Sequence, residues 1–140
     1  MLKQSVGAVV LLIALIMPGA SIRAQSVQRF KIDVPFQFIL NGRTLPAGTY
    51  VVERTDPARP NVVTLKKVDG RIVRLVITQR VEKDNPSTSS SLIFIEREGK
   101  HYLFQVWNLG AMNGSQIPID KDGSRQQQTD RVLLTLRTRH

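Results

Sequence analysis

The sequence predicts an all-β fold, an antiparallel β-sandwich or small partly open barrel of about seven strands, set behind an N-terminal signal peptide. Three observations predict it. Apolar residues fill every even position from Phe30 to Leu40, the period of two that belongs to a strand with one face in a core. The tight-turn dipeptides Asn41-Gly42, Asp69-Gly70 and Glu98-Gly99 punctuate further apolar runs. No stretch of about ten residues or more carries a convincing amphipathic helical period.

The signal peptide comes first in the chain. Met1-Leu2-Lys3-Gln4 is a short cationic start, and Val6 to Met17 is an apolar run of 12 residues without a charge. A spanning helix needs about 20 apolar residues, so this run suits a cleavable leader rather than a permanent anchor. Pro18-Gly19 breaks the helix, and Ala20-Ser21-Ile22-Arg23-Ala24 supplies small residues for cleavage after Ala24, with Ala20 or Ser21 as alternative ends. The expected organisation is a leader over 1–24 and a single β domain over 25–140, periplasmic or secreted, with no stable membrane span after cleavage.

Removing the leader leaves 116 residues, one domain's worth. Loss of Lys3 and Arg23 lowers the formal charge from +9 to +7. Behind an export signal, such a surface points to an anionic envelope polymer or an envelope protein as partner and away from nucleic acid. The longest basic run is only Lys66-Lys67, so dispersed charges serving solubility are the competing reading. The chain has no cysteine. It therefore has no disulfide staple, thiol nucleophile or cysteine metal ligand, and its core must hold the fold unaided.

The strands follow in order. Phe30, Ile32, Val34, Phe36, Phe38 and Leu40 share a face, and Pro35, which cannot donate to a ladder, marks an edge, a bulge or a break into two strands. Asn41-Gly42 turns the chain, and Leu45-Pro46-Ala47-Gly48 turns it again into a strand over 49–54, with Pro46 fixing φ so that Tyr50 enters the core. A loop over 56–60 precedes a third strand over 62–68. Asp69-Gly70 leads into a fourth strand over 71–81, in which Val73, Leu75, Ile77 and Val81 form one face and Arg74, Thr78, Arg80 and Glu82 the other. Residues 84–91 read as a polar, flexible connection. Leu92-Ile93-Phe94-Ile95 is apolar on both faces, hence central in a sheet, and pairs across Glu98-Gly99 with a strand over 101–107. Residues 109–131 read as a long connection with one helical turn near Ser124 to Gln128. A strand over 132–138 closes the domain, a short helix being the alternative.

No catalytic constellation stands out. The only histidines are His101 and the terminal His140, and the serines at 87, 89, 90 and 91 lack a nucleophile-elbow context. Asp120-Lys121-Asp122-Gly123-Ser124 imitates the start of a calcium loop, but Arg125 and Arg131 occupy the positions of its glycine and its bidentate acid. No cofactor or metal is expected. Tyr50, Tyr102 and Trp107 fit core packing better than a sugar platform. The candidate binding residues are Trp107 and Asn108, at the mouth of the Gly-rich connection on the face opposite Tyr102, Phe104 and Val106, together with Arg74 and Arg80.

Several separated pieces then line up: Val34-Pro35-Phe36-Gln37-Phe38, Leu45-Pro46-Ala47-Gly48-Thr49-Tyr50, Leu92-Ile93-Phe94 and Tyr102-Leu103-Phe104-Gln105-Val106-Trp107. Together they resemble a family of small exported bacterial proteins of unknown function with a VPFxF, LPAGxY and VW pattern. The resemblance implies export and a β fold, and it brings no catalytic or binding residue. The function expected is that of an exported, non-enzymatic β domain that binds or scaffolds in the cell envelope. The alternative is a small secreted hydrolase using acids such as Glu96 or Glu98 near the Trp107 loop. Most strands are too short for an outer-membrane barrel.

Overall fold

The computed structural model describes residues 28–54, 56, 58–119 and 132–138. The leader, the calcium-like stretch Asp120–Ser124 and the helical turn expected near Ser124 to Gln128 lie outside these residues. The described chain is all β, with eleven strands in two sheets rather than seven. They are β1 (Gln28–Val34), β2 (Phe38–Leu40), β3 (Arg43–Leu45), β4 (Gly48–Arg54), β5 (Val62–Lys67), β6 (Ile72–Ile77), β7 (Gln79–Glu82), β8 (Ser91–Arg97), β9 (Lys100–Trp107), β10 (Asn113–Gln116) and β11 (Val132–Arg137). One sheet runs β1-β4-β5-β6 and the other β11-β8-β9-β10-β7, with the β2-β3 hairpin joined to β9 through β2. All pairings are antiparallel except β2 with β9. The sheets stack around one core as a sandwich and do not close into a barrel.

The long apolar alternation becomes two strands. Pro35 interrupts the ladder, and the chain crosses from β1 in one sheet to β2 in the other. The inward row survives the crossing: Ile32, Val34, Phe38 and Leu40 are buried, and Phe36 packs against them. Phe94 of β8 is fully buried at their centre and meets Phe36 and Phe38 edge-on, with ring centroids 5.0 and 5.5 Å away. Asn41 and Gly42 both adopt positive φ, 49° and 74°, as do Glu98 and Gly99 at 51° and 72°. Such two-residue turns match the twist of a hairpin. Tyr50 is fully buried, and its hydroxyl donates to the Pro46 carbonyl at 2.5 Å, tying the β3–β4 turn to the core.

Four expectations need correction. The fourth strand is two strands in different sheets: Thr78 ends β6, where its amide and hydroxyl both donate to the Asn61 carbonyl, at 2.7 and 2.9 Å. Its buried face also differs, because a bulge between Leu65 and Lys66 shifts the register. Val76 packs inward, whereas Leu75 and Ile77 are 54% and 66% exposed. A second bulge, opposite the Ile93/Phe94 step, inserts Phe104 into β9. It puts Tyr102, paired with Ile95, on the same outer face as Gln105 and Trp107, while Leu103 and Val106 face the core. Finally, Asn113–Gln116 is a strand between β9 and β7, where a connection was expected.

β8 is central as expected, flanked by β9 and β11, and β11 is a closing strand with Leu134 and Leu136 against the core. No helix among the described residues is long and apolar enough to cross a membrane.

Candidate functional site

Outside the core, the outer face of the larger sheet holds a polar cleft beside Trp107. Pairing of Trp107 with Ser91 and of Gln105 with Ile93 and Gln116 places these side chains on one face, the one turned away from Leu92, Phe94 and Val106. The cleft is about 240 Å³. Its floor is Trp107, Gln105, Ile93 and Ser91, its far wall is Thr135 and Arg137 of β11, and its near wall is Lys83 with Ser87, Thr88 and Ser89.

The near wall is held by the backbone. The Lys83 amide donates to the Met112 carbonyl at 3.0 Å, the Ser87 amide to Ala111 at 2.9 Å, and the Gly110 amide to Ser87 at 2.7 Å. The Ser90 hydroxyl accepts the Leu109 amide at 3.0 Å, and its carbonyl accepts the Thr138 amide at 3.0 Å. The segment expected to be a flexible connection is thus pinned to both neighbours, with Ser87, Ser90 and Ser91 buried. Short polar residues make this possible, since they hydrogen-bond to backbone as readily as to water.

Trp107 is the anchor. Its ring lies flat on Gly114, so close that a Cβ there would sit 2.7 Å from two ring carbons. The Lys83 ammonium stands over the ring, 4.5 Å from its centroid, a cation–π contact. The indole nitrogen donates to Gln105 Oε1 at 3.0 Å, and Gln105 Nε2 donates to Gln116 Oε1 at 3.0 Å. With the residue 6% exposed, little ring face is left for a sugar to stack on. Trp107 instead positions Lys83 and the Gln105 carboxamide at the cleft.

Charge in the cleft is one-sided. Lys83 and Arg137 are both exposed, and among the described residues neither makes an ion pair and no carboxylate lines the cleft. Ser87 is 4% exposed, and its hydroxyl has no hydrogen-bond partner among the described residues. A buried hydroxyl left unpaired costs about 1–3 kcal/mol, and in native structures such groups call for a local reason. Two cations that no described carboxylate neutralises and a set of hydroxyls favour an anion carrying further hydrogen-bonding groups.

The other expected site residues do not join Trp107. Asn108 is buried at the end of the sandwich, where its amide nitrogen donates to Gln28 Oε1 at 3.3 Å. The same oxygen accepts Arg54 Nη1 at 3.4 Å, while Arg54 Nη2 donates to the Ser115 hydroxyl. This network joins β1 and β4 to β10, and burial pushes the Arg54 guanidinium below its ordinary range. Arg74 lies on β6 and donates to the Asn41 carbonyl at 3.0 Å. Arg80, on β7, holds Glu82 and Asn113, each at 2.9 Å. Glu96 and Glu98 lie at the Glu98–Gly99 turn, the end of the β8–β9 hairpin opposite the Ser91–Trp107 pair, so they are not near the Trp107 loop. At that end His101 stacks on Phe36, with centroids 4.0 Å apart, and approaches Glu96 at 4.0 Å.

Sequence reasoning singled out Trp107 but missed Lys83, Ser87 and Arg137. The one available signal was the run of hydroxyl residues from Ser87 to Ser91, next in the chain to β8. Two further clefts, of about 200 and 280 Å³, lie toward the turn end of the sheet, around Tyr102 and Pro118 and around Gln37 and His101. Among the described residues, no cluster of acids and histidines could hold a metal ion. Comparison with protein-family models, with curated proteins and with solved structures gives no match.

Proposed function

We propose that this protein is an exported, non-enzymatic β-sandwich that binds an anionic partner in the cell envelope, in the periplasm or outside the cell. The observation that carries this reading is the cleft beside Trp107, where Lys83 and Arg137 stand amid hydroxyl side chains without a counter-ion among the described residues. The apolar run of residues 6–17 and the small residues up to Ala24 support export, and the resemblance to small exported bacterial proteins supports it further. Recognition by two cations and hydroxyls needs no nucleophile, base or cofactor. It gives affinity that falls as salt screens the charges.

The test expresses the full chain in a bacterium with two membranes. The N-terminus of the product is read by mass spectrometry, and the envelope fraction is passed over the immobilised protein at low salt. The expected result is a product that begins within a few residues after Ala20, found in periplasm or medium, with an anionic partner retained and then released by salt. Uncleaved precursor in the cytosol would overturn the export reading. Absence of any retained polymer, lipid or protein would overturn the binding reading.

A further inference from the structure

We infer that the cleft between Lys83, Ser87 and Arg137 is a subsite for one acidic sugar residue, a ring that bears an oxyanion among its hydroxyls. This rests on the binding reading above and narrows it to a ligand class. Three features of the cleft point the same way.

The first is charge. Lys83 and Arg137 line one cleft from opposite walls with no carboxylate of the described residues between them, an arrangement of like charges that an oxyanion relieves. The Arg137 guanidinium offers the planar fork that carboxylate, sulfate and phosphate groups accept in pairs. Lys83 is held in place by the Trp107 ring, so less side-chain freedom is lost when it binds.

The second is the polar lining. Ser87, Thr88, Ser89, Ser91, Thr135 and Gln105 surround the two cations. A bare inorganic anion would use one or two of these groups. Hydroxyls and carboxamides donate and accept, as do sugar hydroxyls, so a polyhydroxylated ring can pair with several at once. Ser87 adds a hydroxyl that has no partner within the described protein.

The third is size. At about 240 Å³ the cleft falls just under the range of about 300–1,000 Å³ typical of small-molecule pockets, which suits one ring better than an extended oligomer. The cleft is open to solvent, so the flanking units of a polymer can run out along the sheet. Stacking is not the mode of recognition, because Gly114 and Lys83 already occupy the indole. Recognition is by hydrogen bonds and charge, which distinguishes an acidic sugar from a neutral one.

The experiment uses the protein purified from the compartment to which the cell delivers it. Calorimetric titrations compare four probes: polygalacturonate, dextran sulfate, neutral dextran and inorganic phosphate. The expected result is binding of at least one anionic polymer, with neutral dextran and inorganic phosphate at least about tenfold weaker. The preferred polymer identifies the oxyanion as carboxylate or sulfate. Lys83→Ala and Arg137→Ala should each weaken that polymer about tenfold or more, the scale of a lost charge-assisted hydrogen bond. Thr135→Val should weaken it without changing the protein's charge. Arg80→Ala, which removes a cation outside the cleft, should leave affinity within about threefold, a purely long-range effect. Lys83, Thr135 and Arg137 are exposed, so thermal melts should show these variants folded.

Equal losses in Arg80→Ala and Lys83→Ala would overturn the cleft and leave dispersed charge as the binder. Phosphate binding as tight as polymer binding would overturn the sugar. If no probe polymer binds while an envelope fraction still yields a partner, the subsite inference fails and the binding reading stands. If neither binds, both fail.

Discussion

Substituting Gly114 by alanine isolates the contact that seats Trp107. The new Cβ would stand 2.7, 2.7 and 2.9 Å from three indole carbons, where carbon atoms pack best at about 3.5–4.0 Å. The ring must therefore recede by close to an ångström. It cannot do so freely, since the residue is 6% exposed, its nitrogen is bonded to Gln105 at 3.0 Å, and Lys83 stands over it. Overpacking of this kind costs about 1–3 kcal/mol. Gly114 has no positive φ to lose, so alanine recovers about 0.5–1 kcal/mol of chain entropy. At the middle of these ranges the net cost is about 1 kcal/mol, or a fall in melting midpoint of roughly 4–5 °C for a domain of this length. The chain has a single tryptophan, so thermal denaturation followed by its emission reads both the stability and the ring's environment. A red-shifted native emission should accompany the lower midpoint, and the cost should vanish in a Trp107→Leu background. A wild-type midpoint for Gly114→Ala, or the same loss without the indole, would refute the reasoning.

Other consequences follow from the core and its edges. Tyr50→Phe removes the donor to the Pro46 carbonyl and should cost about 1 kcal/mol, measured by urea denaturation at neutral pH. Burial raises the Tyr50 phenol above its ordinary value of 10.0, so the folded protein keeps a proton that the unfolded chain releases near that pH. This contribution to stability is complete below the unfolded value and is lost as pH rises toward the folded one. Urea midpoints above pH 10 should therefore fall more steeply for the wild type than for Tyr50→Phe. The face of β6 is tested by a neighbouring pair: Val76→Ala should cost about 2 kcal/mol and Ile77→Lys less than about 0.5 kcal/mol, the reverse of what the alternation in the sequence suggests.

The pattern in these elements shows what one chain can reveal unaided. The row from Phe30 to Leu40, the turns at Asn41-Gly42 and Glu98-Gly99, and the insertion of Tyr50 are local matters of period and φ, and they form as the residues predict. The errors lie where a distant partner decides. Nothing near Thr78 marks the end of β6, because the carbonyl that captures it belongs to Asn61. Asn113-Gly114-Ser115-Gln116 has the composition of a turn, yet its glycine is there to admit the Trp107 ring from another strand. Two bulges change which residues share a face, and alternation counted across a bulge inverts.

The candidate site divides in the same way. Trp107 is conspicuous in the sequence as the aromatic at the mouth of the glycine-rich stretch. Arg74, Arg80 and Asn108 stand out in the sequence by charge or by adjacency to Trp107, but each is occupied in a separate hydrogen bond. Lys83 and Arg137 lie more than fifty positions apart, and only the placement of β11 beside β8 brings them to one cleft.

The most direct test of the account is a backbone-amide NMR titration of the delivered protein with monomeric galacturonate. The cleft predicts saturable shifts confined to Lys83, residues 87–91, Gln105, Trp107 and the 135–137 end of β11, reversed by salt. Shifts scattered over the exposed cations, or centred on the Glu98–Gly99 end of the hairpin, would contradict it.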